Sequence, residues 1–224
     1  MLAVISLGGS IIVPDKINES FLEKFRKLMI NFVKKGNRTI VVCGGGKVCR
    51  DYIYTARKMI KNVNEGDMDR LGVKVTELNA EFVKCLFGKY AHKKVHSDYN
   101  KKLNFKFVLV SAGLLPGTST DYDAVMFAKN YGVDRVINVS NIDYVYNKDP
   151  KKHKDAKHIE KLSWKDFKKL IGGKWKAALH LPFDPVASKR AEEFRLKVVI
   201  VNGRNLNNLK NCLEGKRFKG TIIG

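Results

Sequence analysis

Five runs rich in valine and isoleucine constrain this chain more than anything else in it: AVISL (3–7), TIVVC (39–43), KFVLVSA (106–112), RVINVS (135–140) and KVVIVN (197–202). Each is continuously apolar instead of alternating, the pattern of strands covered on both faces. Helical spacing fills the intervals. In ESFLEKFRKLMINFVKK, residues Phe21, Leu22, Phe25, Leu28, Met29 and Phe32 fall on one face and the lysines on the other. DYDAVMFAKNYG (121–132) and DPVASKRAEEFRL (184–196) read the same way. Strands that alternate with helices predict an α/β fold with a largely parallel sheet between helical layers. The segment from about 150 to 183, with IGGKW and HLPFDP, reads as irregular and mobile.

In such a sheet, ligands sit beyond the carboxyl ends of the strands, where loops lead into helices. Those positions hold unusual residues here: Gly8, Gly9 and Ser10; Gly44, Gly45 and Gly46; GLLPGTSTD (113–121); and NIDYVYNKDP (141–150). A triple glycine before a helix starting near Lys47 offers backbone N–H groups to phosphate oxygens, and no Cβ obstructs their approach. A plain structural turn explains the same triplet. Lys47 and Arg50, one turn apart, can give charge-assisted contacts to one anion. Thr118, Ser119 and Thr120 bring hydroxyls to a helix start that Asp121 follows, which suits both helix capping and anion binding. Three such loops suggest two phosphorylated ligands.

Other chemistries find little support. G-x-x-x-x-G-K-[ST], a G-x-G-x-x-G after the first strand, H-E-x-x-H and G-x-S-x-G are all missing, which disfavours P-loop, Rossmann, metalloprotease and hydrolase readings. The five histidines, His92, His96, His153, His158 and His180, sit in polar contexts and read as surface residues. Cys43, Cys49, Cys85 and Cys212 lack paired C-x-x-C spacing and read as reduced, mostly buried thiols, with no metal site expected. Apolar stretches fall short of a membrane span, and the N-terminal one is too short and wrongly flanked for a secretion signal, so the expected location is cytoplasmic. A net charge of +21 attracts polyanions without naming one, and most of the lysines read as solvated surface. Aromatic residues do not interleave with the basic ones, so nucleic acid is not the expected partner.

In order and spacing, LGGS, GGGKVCRDYI, DRLG, PGTSTD, SNIDYVYNKDP and DPVASK resemble the amino acid kinase superfamily, and within it most closely the archaeal-type uridylate kinase family. The resemblance spans residues 1–224 as a single domain. It implies a three-layer αβα sandwich (the amino acid kinase, or carbamate kinase-like, fold) around a mostly parallel sheet. It also implies ATP and Mg²⁺, UMP as the acceptor, and a homohexamer. An N-terminal lobe, about 1–130, would bind the acceptor nucleotide, and a C-terminal lobe, about 131–224, the ATP.

Matched position by position, Gly9, Ser10, Gly45 and Arg50 correspond to ATP phosphate contacts, and Ser140, Tyr146 and Asp149 to the adenosine pocket. Gly44 matches an acceptor contact and Asp69 the group that binds the acceptor ribose; read without the resemblance, Asp69 is a solvated loop residue. Leu114, Leu115, Pro116, Gly117, Thr118, Ser119 and Thr120 match the acceptor loop. Asp121 matches the carboxylate that organises the catalytic centre, while Asn141 and Asp143 suit a loop-shaping role. The chain departs from the pattern in four places. Ser6 stands where much of the superfamily has a lysine, a residue archaeal-type members can also lack, so Lys47 or Arg50 would supply the missing charge. SAG replaces a glycine pair, STD is followed by an extra Tyr122–Asp123, and Tyr144 replaces a glycine. The alternatives are another superfamily enzyme, such as an isopentenyl phosphate kinase, or a nucleotide-binding regulator or storage protein that has lost turnover.

Overall fold

The structure is a computed structural model and describes residues 1–150, 152–171 and 181–224. In chain order the elements are β1 (Leu2–Leu7), α1 (Gly9–Ile12), α2 (Glu19–Lys34), β2 (Arg38–Cys43), α3 (Gly46–Met59), α4 (Glu65–Phe87), a 3-10 turn (Gly88–Tyr90), β3 (Val108–Ser111), α5 (Thr120–Tyr131), β4 (Arg135–Ser140), β5 (Val145–Tyr146), β6 (His158–Ile159), β7 (Lys161–Leu162), α6 (Trp164–Ile171), α7 (Pro185–Glu193), β8 (Lys197–Asn202), α8 (Leu206–Leu213) and β9 (Thr221–Ile223). The five apolar runs are β1, β2, β3, β4 and β8.

Local chemistry sets the helix ends. The Asn18 side chain accepts from the Phe21 amide at the start of α2, and Ser119 does the same for Tyr122 at the start of α5. Gly132, at φ 69°, closes α5 in the left-handed conformation that glycine adopts most cheaply. Asp184 caps α7 by accepting from Ala187 N, and Pro185 occupies its first position.

The sheet runs β3-β2-β1-β4-β8-β9-β7. Its first five strands are mutually parallel; β9 is antiparallel to β8, and β7 is parallel to β9. β5 and β6 form a separate antiparallel pair. Alternate residues of each run serve opposite cores. Ile5, Leu7, Val41, Val110, Ile137 and Val199 pack against Phe25 and Met29 of α2, Val83 and Phe87 of α4, and Leu209 of α8. Val4, Ile40, Val42, Leu109, Val136 and Val198 pack against Phe127 of α5, Phe167 of α6 and Ala187 of α7. The result is the expected αβα sandwich, and its sheet is continuous through residues 1–130 and 131–224.

The irregular reading of 150–183 needs correction for 158–171, which forms β6, β7 and α6. Trp164 and Phe167 bury themselves against α7 and β8, and Trp164 Nε1 donates to Leu196 O at 3.2 Å. His180 and residues 172–175 of IGGKW lie outside the described residues. Asp69 lies in α4, a long helix, and not in a loop. Cys43 and Cys212 are buried, but Cys49 is half-buried and Cys85 exposed; all four are free thiols. His153 and His158 are exposed as expected, whereas His92 and His96 are half-buried.

Candidate active site

From β1 the chain moves outward to β2 and β3, then returns to place β4 on the other side of β1. A reversal of this kind is where open α/β sheets form their ligand crevice, here at the carboxyl ends of β1 and β4. The first two glycine loops meet there. Gly8 N donates to Val139 O at 3.0 Å, Gly44 N to Leu7 O at 3.0 Å, and Lys47 N to Val13 O at 3.0 Å. A Cβ on Gly9 would stand 2.0 Å from Gly46 N and 2.6 Å from the carbonyl carbons of Gly44 and Gly45. Gly9 is therefore required by loop-on-loop packing before any ligand arrives. Helix α3 starts at Gly46, one residue before the expected Lys47, and the Lys47 amide is already spent on Val13. Gly45 N has no hydrogen-bond partner among the described residues.

Asn79, buried in α4, fixes the second loop: its Nδ2 donates to Gly44 O at 2.8 Å and to Gly45 O at 3.1 Å. One turn earlier, Thr76 Oγ1 accepts from Gly113 N at 2.9 Å, which anchors the third loop. Asp69 lies further towards the start of the same helix. Its Oδ2 is 3.8 Å from where a Cβ on Gly117 would stand, and Gly117 has φ 78°, open only to glycine without strain. Helix α4 thus carries the Asp69 carboxylate to the 114–120 loop and ties down two loops. Thr118 Oγ1 donates to Leu115 O at 2.8 Å inside that loop, while Leu115, Pro116 and Gly117 are exposed.

Asp121, in the first turn of α5, joins four elements. Ser6 Oγ of β1 donates to its Oδ1 at 2.8 Å, Asn138 Nδ2 of β4 donates to the same oxygen at 3.2 Å, and the Asp184 amide before α7 donates to Oδ2 at 3.3 Å. Ser6 and Asn138 are neighbours in the sheet register, which aims both at the same point. Burial pushes the Asp121 carboxyl up to about 6; the Ser6 hydrogen bond opposes this, the Asp184 charge adds to it, and the Asp184 amide opposes it. The residue at position 6 faces the Asp121 carboxylate, and here it is a neutral donor.

The cationic candidates differ. Lys47 Nζ lies 2.6 Å from Asp51 and 3.8 Å from Asp15, and its hydrogen bond to Asp51 raises its pKa. Arg50 is exposed and makes no ion pair among the described residues. Ser10 is half-buried one residue past Gly9. On the β4 side, Ser140 O accepts from Gly203 N at 2.8 Å, and Asn202 Nδ2 at the end of β8 donates to Asp143 Oδ1 at 2.9 Å. Asn141 is exposed. Tyr146 pairs with His158 across β5 and β6, and the Tyr144 ring sits 4.5 Å from that of His158. Asp149 O accepts from the amides of Lys152 and His153. No trio of His, Cys, Asp or Glu with metal-binding geometry occurs among the described residues. A groove of about 590 Å³ lies at the amino ends of the strands, beside Met1 and Arg135, away from all of these loops.

Sequence reasoning missed Thr76 and Asn79. Their signal was two polar residues in the buried series Met68, Val75, Thr76, Asn79, Ala80, Val83 and Phe87.

Known proteins resemble the chain throughout its length. The Amino acid kinase family model matches residues 1–202. A uridylate kinase of Thermoplasma volcanium is 35% identical over 225 residues, covering 98% of this chain and 96% of the relative. One of Sulfolobus acidocaldarius is 33% identical over 214 residues, 93% of each. The crystal structure of uridylate kinase from Archaeoglobus fulgidus superposes with a TM-score of 0.84 at 31% identity, over 100% of both chains. A UMP kinase structure from Bacillus anthracis, 20% identical, shares the fold with a TM-score of 0.78, over 100% of this chain and 95% of that one.

Proposed function

Since the chain belongs to the amino acid kinase family, we propose that it is a uridylate kinase, which transfers the γ-phosphoryl of ATP to UMP and gives UDP and ADP. The observation that carries this choice of acceptor is the Asp69 carboxylate beside Gly117 of the 114–120 loop. A ribose needs a buried or half-buried acceptor of hydrogen bonds, whereas an isoprenoid phosphate needs an apolar tunnel.

In this reading Gly44, Leu114, Leu115, Pro116, Gly117, Thr118, Ser119 and Thr120 hold the acceptor phosphate, and Asp69 binds its ribose hydroxyls. Gly9, Ser10, Gly45 and Arg50 hold the donor phosphates, and Ser140, Tyr146 and Asp149 line the adenosine side. An oxygen of the UMP phosphate attacks the γ-phosphorus in line as the bond to the β–γ bridging oxygen breaks, and ADP leaves with that electron pair. Positioning and charge neutralisation carry most of such a reaction. Asp121 supplies the positioning by locking β1, β4, α5 and α7 around the transfer point, and Arg50, which makes no ion pair among the described residues, supplies charge. Lys47 assists once its contacts with Asp51 and Asp15 open. Mg²⁺, when bound with ATP, would neutralise phosphate charge, held through the phosphates and water, since no trio of His, Cys, Asp or Glu with metal-binding geometry occurs among the described residues.

The enzyme works in the cytoplasm as a homohexamer. No helix among the described residues is long and apolar enough to cross a membrane. Helix α3 buries only Gly46 and leaves Tyr52, Tyr54 and Met59 largely exposed, a surface suited to a second subunit. The acceptor assignment is tested by Asp69→Ala, which is expected to raise the KM for UMP at least tenfold and leave the KM for ATP within about twofold. An unchanged UMP KM would remove Asp69 from the acceptor site.

A further inference from the structure

Asp123 is the least comfortable side chain among the described residues. It is fully buried on the inner face of α5, and neither carboxyl oxygen receives a hydrogen bond of ordinary geometry from the described residues. Asp121, two residues earlier and half-buried, has three donors. A buried carboxyl without partners loses its hydration and recovers nothing, so an apolar residue of similar size is the more stable choice at this position. A rule broken at such cost, beside a site, points to function.

Its surroundings say which function. Oδ2 lies 3.9 Å from where a Cβ on Gly113 would stand, so it faces the root of the 113–120 loop. Thr76 already holds the Gly113 amide, and its own hydroxyl donates to Val73 O. The next amide along, Leu114 N–H, is close enough to favour the charged form of Asp123 without meeting hydrogen-bond geometry. Hydrogen bonds of this kind are commonly loose before substrate binds and tighten in the complex.

We infer that Asp123 is a positioning residue for the acceptor loop, a buried hydrogen-bond acceptor that takes the Leu114 amide when the 113–120 loop closes on the acceptor phosphate. The inference rests on the reading of that loop as the acceptor site. Thr76 from α4 and Asp123 from α5 then grip consecutive amides, Gly113 and Leu114, from two sides, and set the loop's root before its exposed tip meets the ligand. The unpaired carboxyl is stability given up in the free protein and recovered on binding.

The test measures UMP and Mg-ATP binding by calorimetry, and thermal unfolding without ligand, for the full chain and for Asp123→Val and Asp123→Asn. Asp123→Val, which removes the acceptor but keeps the volume, should raise Tm by about 3 °C or more while weakening UMP binding roughly tenfold, a loss the size of one hydrogen bond to a charged group. Its Mg-ATP affinity should stay within about twofold. Asp123→Asn keeps one acceptor oxygen and should retain most of the UMP affinity. UMP binding by Asp123→Val at wild-type strength would overturn the inference. So would a fall in Tm with parallel losses of UMP and Mg-ATP, the mark of a structural residue. Failure of the unaltered protein to bind UMP would instead overturn the reading of the loop.

Discussion

Replacing Gly9 by alanine adds one methyl group at the point where two loops touch backbone to backbone. That methyl would stand 2.0 Å from Gly46 N, where an ordinary contact needs at least 3.4 Å, so the loops after β1 and β2 must part by about 1.4 Å. The obstacles are main-chain atoms, which no rotamer change relieves. Overpacking of this kind costs about 1–3 kcal/mol, and the upper figure applies here. For a chain of this size it corresponds to a Tm lower by roughly 6–12 °C. Displacement on this scale at a transfer site costs about 100-fold in turnover. Gly72→Ala provides the contrast. Gly72 lies inside α4, and a Cβ there meets only Cys49 Sγ at 3.5 Å and Ile53 Cδ1 at 4.0 Å, both of α3, so alanine should be tolerated and add up to about 1 kcal/mol of helix stability. Thermal unfolding with steady-state kinetics on both variants decides the matter. A Gly9→Ala protein with the Tm and turnover of the parent would refute the interlocked-loop account.

Asp121→Asn should lower kcat by about two orders of magnitude or more and leave ATP affinity within severalfold, because it disturbs a junction and not a nucleotide contact; kinetics with ATP titration checks this. Asn79→Ala removes both donors to the carbonyls of Gly44 and Gly45, should cost about 1–3 kcal/mol of stability and should raise the KM for ATP, as unfolding and initial-rate measurements will show. Stability should also depend on pH through the carboxyls of Asp121, half-buried, and Asp123, buried. Burial lifts Asp123 to about 7 and Asp121 to about 6, both above their unfolded value, so the folded state holds the extra protons. The stability is fully present below about pH 4 and is lost as pH rises towards 7; for Asp123 the loss is at most on the order of 4 kcal/mol. Asp123→Asn should therefore gain Tm relative to the parent at pH 8 and little at pH 5, and equal gains at both would contradict the burial argument.

The strands were legible because both faces of the sheet are covered, so each run is apolar without interruption and its ends are plain. Helix α4 was not. Gly66 and Gly72 weaken its propensity, and Thr76 and Asn79 interrupt its apolar stripe on the buried side. Those two polar residues tie down the loops at Gly44, Gly45 and Gly113, so the features that hid the helix are the ones that hold the candidate site's loops. β7 and β9 have two and three residues, too few to show a period. Ser6 was legible as a departure from a lysine pattern. Its partner Asp121 lies 115 residues away, and the parallel register of β1 with β4 brings Ser6 and Asn138 together on that carboxylate. The glycines were readable as loops, but their packing against each other depends on the order of strands in the sheet.

The measurement that bears most directly on the account is ADP release from Mg-ATP with UMP, CMP, isopentenyl phosphate and N-acetylglutamate offered separately. The account predicts rapid turnover with UMP and little with the others. Turnover confined to isopentenyl phosphate or N-acetylglutamate, or ATP binding with no turnover on any acceptor, would contradict it.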